Sequence, residues 1–172
     1  MDPKVTVCVP ALNEAQNIGL ILKEIKERVK TPYKLLVVDG NSSDGTPDIA
    51  RKMGAHVVTD PGGGKGVGLR HAIDVCETEV LVFIDADGSH DPADIDPMVK
   101  PILVGTHDLV VGSRSLGGSD ELVGNFAKFI RITGSHIITL GINYRYGVVL
   151  TDSQNGFRAI RTSLGRAIKL QE

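Results

Sequence analysis

Cysteine is scarce in this chain, an excess of either charge is missing, and no apolar run is long enough to cross a membrane. The two cysteines are Cys8, inside an apolar run, and Cys76, at the end of a helical pattern. No spacing pairs them or makes them metal ligands, which excludes a disulfide scaffold and a cysteine-based metal site. Both read as free thiols in a reducing compartment. A net charge of −2 excludes nucleic-acid binding by a general basic field, and equally an acidic tail. No leader pattern opens the chain, so a cytoplasmic, water-facing body is expected. At 172 residues, 41% hydrophobic and 23% charged, residues 1–172 suffice for a single domain with a real core.

What the chain has in quantity is glycine, twenty residues, set into an alternation of strands and helices. Val5–Val9, Lys34–Val38, Ala55–Val58, Val80–Ile84 and Asp108–Val111 are short β-branched runs ended by Pro, Gly or Asp. Ile18, Ile21, Leu22, Ile25 and Val29 form an apolar helical stripe, with Asn13 as the expected N-cap and Gln16 three residues on. Thr46-Pro47 opens a second helix, and Leu69, Ala72, Ile73 and Cys76 stripe a third. Pro92, Pro97 and Pro101 predict a turn followed by a helix. The βαβαβαβ order predicts an α/β fold, a mostly parallel sheet with helices on both faces.

The triplet Asp85-Ala86-Asp87 directly follows the fourth apolar run. In an extended backbone residues i and i+2 face the same side, so both carboxylates can meet one hard cation. Like charges buried that close need a cation or protons, which points to a ligand rather than to packing. A lone triplet of this kind also occurs in ordinary turns, so its placement decides. Pro10–Glu14, Asp39–Asp44, Asp60–Gly66, Asp85–Pro92 and Gly112–Arg114 each follow one strand. In an open parallel sheet those carboxyl ends share one edge, where ligands bind. A P-loop is excluded because Lys65 is followed by Gly66 rather than Ser or Thr. A dinucleotide fingerprint is disfavoured, since no glycine follows the first strand before Gly19.

In order along the chain stand Val9-Pro10-Ala11-Leu12-Asn13-Glu14, Val37-Val38-Asp39-Gly40-Asn41-Ser42-Ser43-Asp44-Gly45-Thr46, Gly64-Lys65-Gly66, Asp85-Ala86-Asp87, Gly112-Ser113-Arg114 and Asp152 with Gly156-Phe157-Arg158. This set resembles the family 2 glycosyltransferases of GT-A (Rossmann-like) fold. Within them it is most similar to dolichol-phosphate mannose synthases and related polyprenyl-phosphate glycosyltransferases. The resemblance implies that Pro10, Ala11, Asn13, Glu14 and Asp39 hold the nucleoside, Asp39 near the base and Glu14 near the ribose. It implies that Asp85 and Asp87 are the metal pair, flanking Ala86 at the donor site, and that Ser89 stands where relatives place a Gln that can also ligate the metal. It assigns Arg114 to the acceptor phosphate, with Lys128 and Arg131 as further cations there. It places Asp152 in the motif that closes the acceptor side. It also implies that relatives continue beyond the Gly-Phe-Arg motif, so this chain is expected to lack their C-terminal segment.

The implied reaction is a metal-dependent, inverting transfer of a hexose from a GDP- or UDP-sugar to a polyprenyl (dolichyl) phosphate at the cytoplasmic face of a membrane. A divalent ion bridging the two phosphates stabilises the charge that builds on the leaving group, and hard oxygen donors favour Mg²⁺ or Mn²⁺ over zinc. A phosphate acceptor is already anionic near neutral pH, its second pKa being about 6, so no strong base is required. Positioning two mutually repelling phosphates is the task left to Arg114. A soluble saccharide or small-molecule acceptor would instead need a carboxylate base, for which Asp91 and Asp152 are the candidates; a nucleotide-sugar binding domain without turnover is the reading from another class. Lys65 reads equally as a donor-phosphate contact or a solvated loop lysine, and His90 more readily caps backbone than binds metal. Phe126, Phe129, Ile130, Ile137, Ile138 and Leu140 most simply cover the core, with a peripheral membrane face as the sharper alternative.

Overall fold

The computed structural model describes residues 2–113 and 138–168. Arg114, Lys128, Arg131, Phe126, Phe129, Ile130 and Ile137 therefore lie outside the described residues. Two compact units are present, one of residues 1–110 with 157–172, the other of residues 111–156.

The elements run β1 (Val5–Ala11), α1 (Ile18–Arg28), β2 (Tyr33–Asp39), α2 (Thr46–Lys52), β3 (His56–Thr59), α3 (Lys65–Val75), β4 (Val80–Phe83), a 3₁₀ turn (Pro92–Asp94), α4 (Ile95–Leu103), β5 (Leu109–Val111), the helical stretch 138–146 (α5), β6 (Arg158–Arg161) and α6 (Thr162–Ala167). The sheet order is β3-β2-β1-β4-β6-β5. β1 pairs in parallel with β2, from Val5 opposite Tyr33 to Ala11 opposite Asp39, and with β4, from Val5 opposite Val80 to Cys8 opposite Phe83. β2 pairs in parallel with β3. The chain thus winds outward from β1 to β3, then returns to lay β4 on the other side of β1, which makes that junction the switch point where such sheets open a crevice.

β6 is the element that the alternating pattern did not predict. It pairs antiparallel with β4, from Val80 opposite Arg161 to Phe83 opposite Arg158, and stands between β4 and β5. Arg161 ties it down: its guanidinium donates to Asp108, Glu79 and the Ile102 carbonyl at 2.7–2.8 Å.

Alternation along the strands splits the core in two. Val5, Val7, Val9, Val37, Val80, Val82 and Ile84 face α1, α2 and α4 through Ile18, Leu22, Ile25, Ala50, Ile95 and Ile102. Cys8, Leu36, Val38, Leu81 and Phe83 face α3 through Ala72, Ile73 and Cys76. Helices therefore cover both faces, as the pattern predicted. Both cysteines are free and buried; burial, then the neighbouring Cys76, pushes the Cys8 thiol well above the ordinary range. Among the described residues no helix is long and apolar enough to cross a membrane.

Helix α1 starts later than expected. Asn17, not Asn13, is its N-cap residue, and the Glu14 carbonyl takes the N–H groups of Asn17 and Ile18. Asn13 has φ +55°, a left-handed conformation that Asn tolerates better than most residues and that belongs to a turn.

Leu22 is fully buried where α1 meets the sheet. Leu22→Ala should cost about 2–5 kcal/mol, read as a lower urea midpoint at unchanged m-value.

Candidate active site

The carboxyl ends of β1, β2, β3 and β4 enclose a cleft of about 460 Å³, within the range of small-ligand sites. Its wall contains Pro10 and Ala11 at the end of β1 with Leu12 and Glu14 after it, Val38 on β2 with Gly40 after it, Asp60 and Gly62–Gly64 after β3, Lys65 and Gly68 on α3, and Asp85, Ala86 and Asp87 after β4. Seven residues singled out for the donor site, Pro10, Ala11, Glu14, Lys65, Asp85, Ala86 and Asp87, therefore meet in one place. Asn13 and Asp39 are not in the wall, although Asp39 lies between two residues that are.

The acidic triplet departs from its expected geometry. β4 ends at Phe83 and residues 86–87 form a turn, so the two carboxylates reach the cleft by a bend rather than by strand alternation. The pair is not buried either: the Asp85 side chain is 27% exposed and Asp87 is exposed. The cost of burying like charges is correspondingly small. Lys65 Nζ lies 2.7 Å from Asp85 Oδ1, so the lysine is paired with the acidic triplet while most of its side chain stays open to water. Asp87 Oδ1 accepts the Ser89 N–H at 3.0 Å. Partial burial works to raise the Asp87 carboxyl, but the hydrogen bonds from Ser89 and the charges of His90 and Lys65 outweigh it and hold the carboxyl below its ordinary value. Among the described residues no group of three His, Cys, Asp or Glu side chains could hold a metal. Two hard carboxylates at a cleft fit Mg²⁺ or Mn²⁺ only if a ligand's oxygens and water complete the shell, and that is the usual arrangement for such ions on a diphosphate. The ammonium already seated on Asp85 shows that this corner draws positive charge.

Much of the polar loop after β2 is occupied with bracing the loop after β1 rather than with facing the cleft. The Asn13 N–H donates to Ser42 Oγ, the Glu14 N–H to Thr46 Oγ1, and the Ala15 N–H to Asp44 Oδ2, at 2.8–3.0 Å. The Ser43 N–H returns the contact by donating to Asn13 Oδ1. Thr46 Oγ1 in turn donates to Asp44 Oδ1 at 2.6 Å. The Asn13 side chain is thus tied to the neighbouring loop through Oδ1. The Gly40 N–H donates to the Ala11 carbonyl, and a Cβ at Gly40 would lie 3.3 Å from Leu12 Cβ, a tight approach that a larger residue would meet only if Leu12 shifted by a few tenths of an ångström.

Asp39 is 4% exposed. Its Oδ2 accepts the Ser42 N–H at 3.1 Å, while Oδ1 has no hydrogen-bond partner, the one buried side-chain atom in that state among the described residues. An unsatisfied buried carboxylate oxygen is expensive, and a donor brought by a ligand would satisfy it. Asp60 and Gly68, absent from the expected site list, complete the wall. Asp60 Oδ1 takes the Gly62 N–H, and a Cβ at Gly68 would stand 2.6 Å from Asp60 Oδ2. The signal for both was a carboxylate at a strand end followed by a glycine-rich turn.

Asp91 is not placed as a base. It caps the 3₁₀ turn through the Ala93 N–H and pairs with Arg28, and these contacts hold its carboxyl below the ordinary range. His90 packs its ring on Phe157, centroids 5.1 Å apart. In the unit of residues 111–156, Asp152 is buried and accepts the Gln154 N–H at 3.3 Å.

Residues 6–167 match the model of the glycosyl transferase family 2. The chain is 36% identical over 180 residues to the undecaprenyl-phosphate mannosyltransferase of Micrococcus luteus, covering 97% of this chain and 70% of that protein. It is 30% identical over 171 residues to the dolichyl-phosphate hexose transferase of Haloferax volcanii, covering 96% and 70%. Among solved structures it is similar to glucosyl-3-phosphoglycerate synthase from Mycobacterium tuberculosis in complex with Mn²⁺, UDP and glucosyl-3-phosphoglycerate, with TM-score 0.73 and 26% identity. That match covers 94% of this chain but only 58% of the synthase chain.

The Thr46 hydroxyl is the hub of the loop brace, with the residue itself fully buried. Thr46→Val should cost about 1–3 kcal/mol in thermal unfolding by stranding the Glu14 N–H, and should weaken nucleotide binding; Thr46→Ser should retain both.

Proposed function

The chain belongs to glycosyl transferase family 2, and we propose that it transfers a hexose from a nucleotide sugar to a polyprenyl phosphate. The observation that carries this reading is the meeting of Asp85, Asp87 and Lys65 in one cleft whose remaining wall is largely backbone, glycine and apolar side chain. A diphosphate needs concentrated cationic charge, which Asp85 and Asp87 would recruit as a divalent ion beside Lys65; the glycine and apolar side of the wall leaves room for a nucleoside.

Asp85 and Asp87 would hold a divalent cation, which when bound stabilises negative charge on the departing nucleoside diphosphate. Lys65 adds an ammonium at the same place. Asp39 Oδ1, buried and unpartnered, would accept a hydrogen bond from the base, while Glu14, Pro10 and Ala11 would border the ribose.

The acceptor is a phosphate in this reading, and that removes the need for a general base. Such a group is largely deprotonated near neutral pH, with a second pKa of about 6. Asp91 is already committed to a cap and an ion pair, which suits a mechanism without it. Arg114 is assigned to orient the acceptor phosphate with Lys128 and Arg131, and Asp152 to the acceptor side. The likeness to the two polyprenyl-phosphate transferases supports the lipid acceptor. Exposed Leu140, Tyr144 and Val149 in the unit of residues 111–156 support contact with a membrane surface at the cytoplasmic face. The likeness to glucosyl-3-phosphoglycerate synthase favours a second reading with a small phosphorylated acceptor. Turnover that requires polyprenyl phosphate in vesicles supports the first; turnover on soluble phosphorylated acids supports the second.

Asp87→Ala should abolish Mn²⁺-dependent binding of UDP or GDP in calorimetry, and undiminished binding would overturn the site. Arg114→Ala should lower turnover on the acceptor by at least tenfold while leaving donor Kd within about twofold, the mark of a contact worth about 1.4 kcal/mol or more on the acceptor alone.

A further inference from the structure

We propose that Lys65 is a built-in counter-cation: it occupies Asp85 while the divalent ion is away, yields to it, and then serves the diphosphate, so that metal and nucleotide bind conjointly rather than singly. This rests on the reading of Asp85 and Asp87 as the metal pair.

The geometry begins with the loop. Gly62, Gly63 and Gly64 have φ of +92°, +115° and +95°, a run that side chains rarely adopt. A Cβ at Gly63 would also lie 2.8 Å from Val67 Cγ2. This backbone delivers Lys65 as the first residue of α3, with its ammonium 2.7 Å from Asp85 Oδ1 and the whole arrangement in the cleft wall.

Exposure decides whether the contact is a permanent strut or an exchangeable one. The Lys65 side chain is 61% exposed, and ion pairs that open to water are weak. A divalent ion on two carboxylates outcompetes one ammonium in such a setting. The lysine's long stem then lets it turn from carboxylate to phosphate oxygens without moving the helix. Among the described residues neither the helix cap nor the core depends on the pair: Gly64, not Lys65, is the N-cap residue of α3, and the core faces are formed elsewhere.

Three charge states follow. Without either ligand, the ammonium offsets part of the carboxylate charge. With metal alone, the ammonium is displaced and left beside a dication, which weakens metal binding. With diphosphate alone, the phosphates meet two carboxylates, one of them holding Lys65. Only when both ligands are present does every charge have an opposite neighbour. The coupling is reciprocal by linkage, so each ligand tightens the other by the same factor.

The test measures Mn²⁺ affinity by electron paramagnetic resonance of free Mn²⁺, with and without UDP or GDP. In Lys65→Met, Mn²⁺ alone should bind about two- to fivefold tighter than in wild type, the order expected for loss of one exposed competing charge. The gain in Mn²⁺ affinity on adding nucleotide should shrink by at least the same factor. Lys65→Arg should stay close to wild type in both. An unchanged melting temperature for Lys65→Met confirms that the variant is folded. If Lys65→Met leaves Mn²⁺ affinity unchanged or weaker without nucleotide, while Asp87→Ala still abolishes it, the counter-cation role is overturned and the metal pair stands. If wild type takes up no Mn²⁺ even with UDP or GDP, the metal pair itself is overturned, and the counter-cation role with it.

Discussion

In-register parallel pairing of β1 with β2 on one side and β4 on the other is the constraint on which the candidate site depends. Ala11 lies opposite Asp39, so β1 and β2 end level, whereas β4 ends earlier, at Phe83 opposite Cys8, and Ile84 and Asp85 carry the chain on toward the same rim. A slip of one residue would exchange the two faces of a strand and turn Val5, Val7 and Val9 from the side of α1, α2 and α4 toward α3 in place of Cys8. The fully buried valines therefore fix the register, and through it the height at which the Pro10–Glu14 loop, Gly40 and Asp85 emerge. Burial of the core and placement of the site are one requirement.

The cleft's shape depends on a second, polar layer. Ser42, Asp44 and Thr46 after β2 take the N–H groups of Asn13, Glu14 and Ala15 after β1, so two loops without regular structure share one hydrogen-bond network. Backbone N–H groups in a loop must find partners, and side chains from a neighbouring loop provide them here. Glu14 and Ala11 can then line the cleft on a backbone that is held rather than loose. Most of the polar residues in a ligand-binding loop of this kind support the contact residues instead of touching the ligand.

That division explains what was legible in the sequence. The alternation of β-branched runs with apolar helical stripes is a short-range signal, and it located five strands and both faces of the sheet. The clustering of Pro10–Glu14, Asp60–Gly66 and Asp85–Asp87 at strand ends located the cleft, because parallel topology turns sequence position into shared space. β6 was not legible: Arg158–Arg161 is four residues long, flanked by arginines, and its partner β4 lies some eighty positions away, so only long-range pairing with Val80–Phe83 makes it a strand. Asn13 was misread because an N-cap and a left-handed turn favour the same residue type. The choice between them came from Ser42 and Ser43, which sequence spacing does not place opposite it. The i, i+2 argument for Asp85 and Asp87 reached the right cleft by the wrong backbone, since the strand stops at Phe83 and a turn carries Asp87 round.

The exposure of that pair changes what the site must do. Two deeply buried carboxylates would stay protonated or demand a permanent partner, and either state would slow the arrival of a ligand. Asp85 and Asp87 instead keep contact with water, and the Asp87 carboxyl stays ionised because Ser89, His90 and Lys65 outweigh its partial burial. Because its folded value is depressed, the stability it contributes is present above its unfolded pKa and is lost as pH falls through the folded one. The contribution is small for an exposed group, which makes this corner of the cleft electrostatically ready without being structurally important. The strong constraints lie behind it, in the valine strands and the Thr46 brace. The charges at the front are left with weak, exchangeable contacts, as a site needs when its ligands must enter, react and leave.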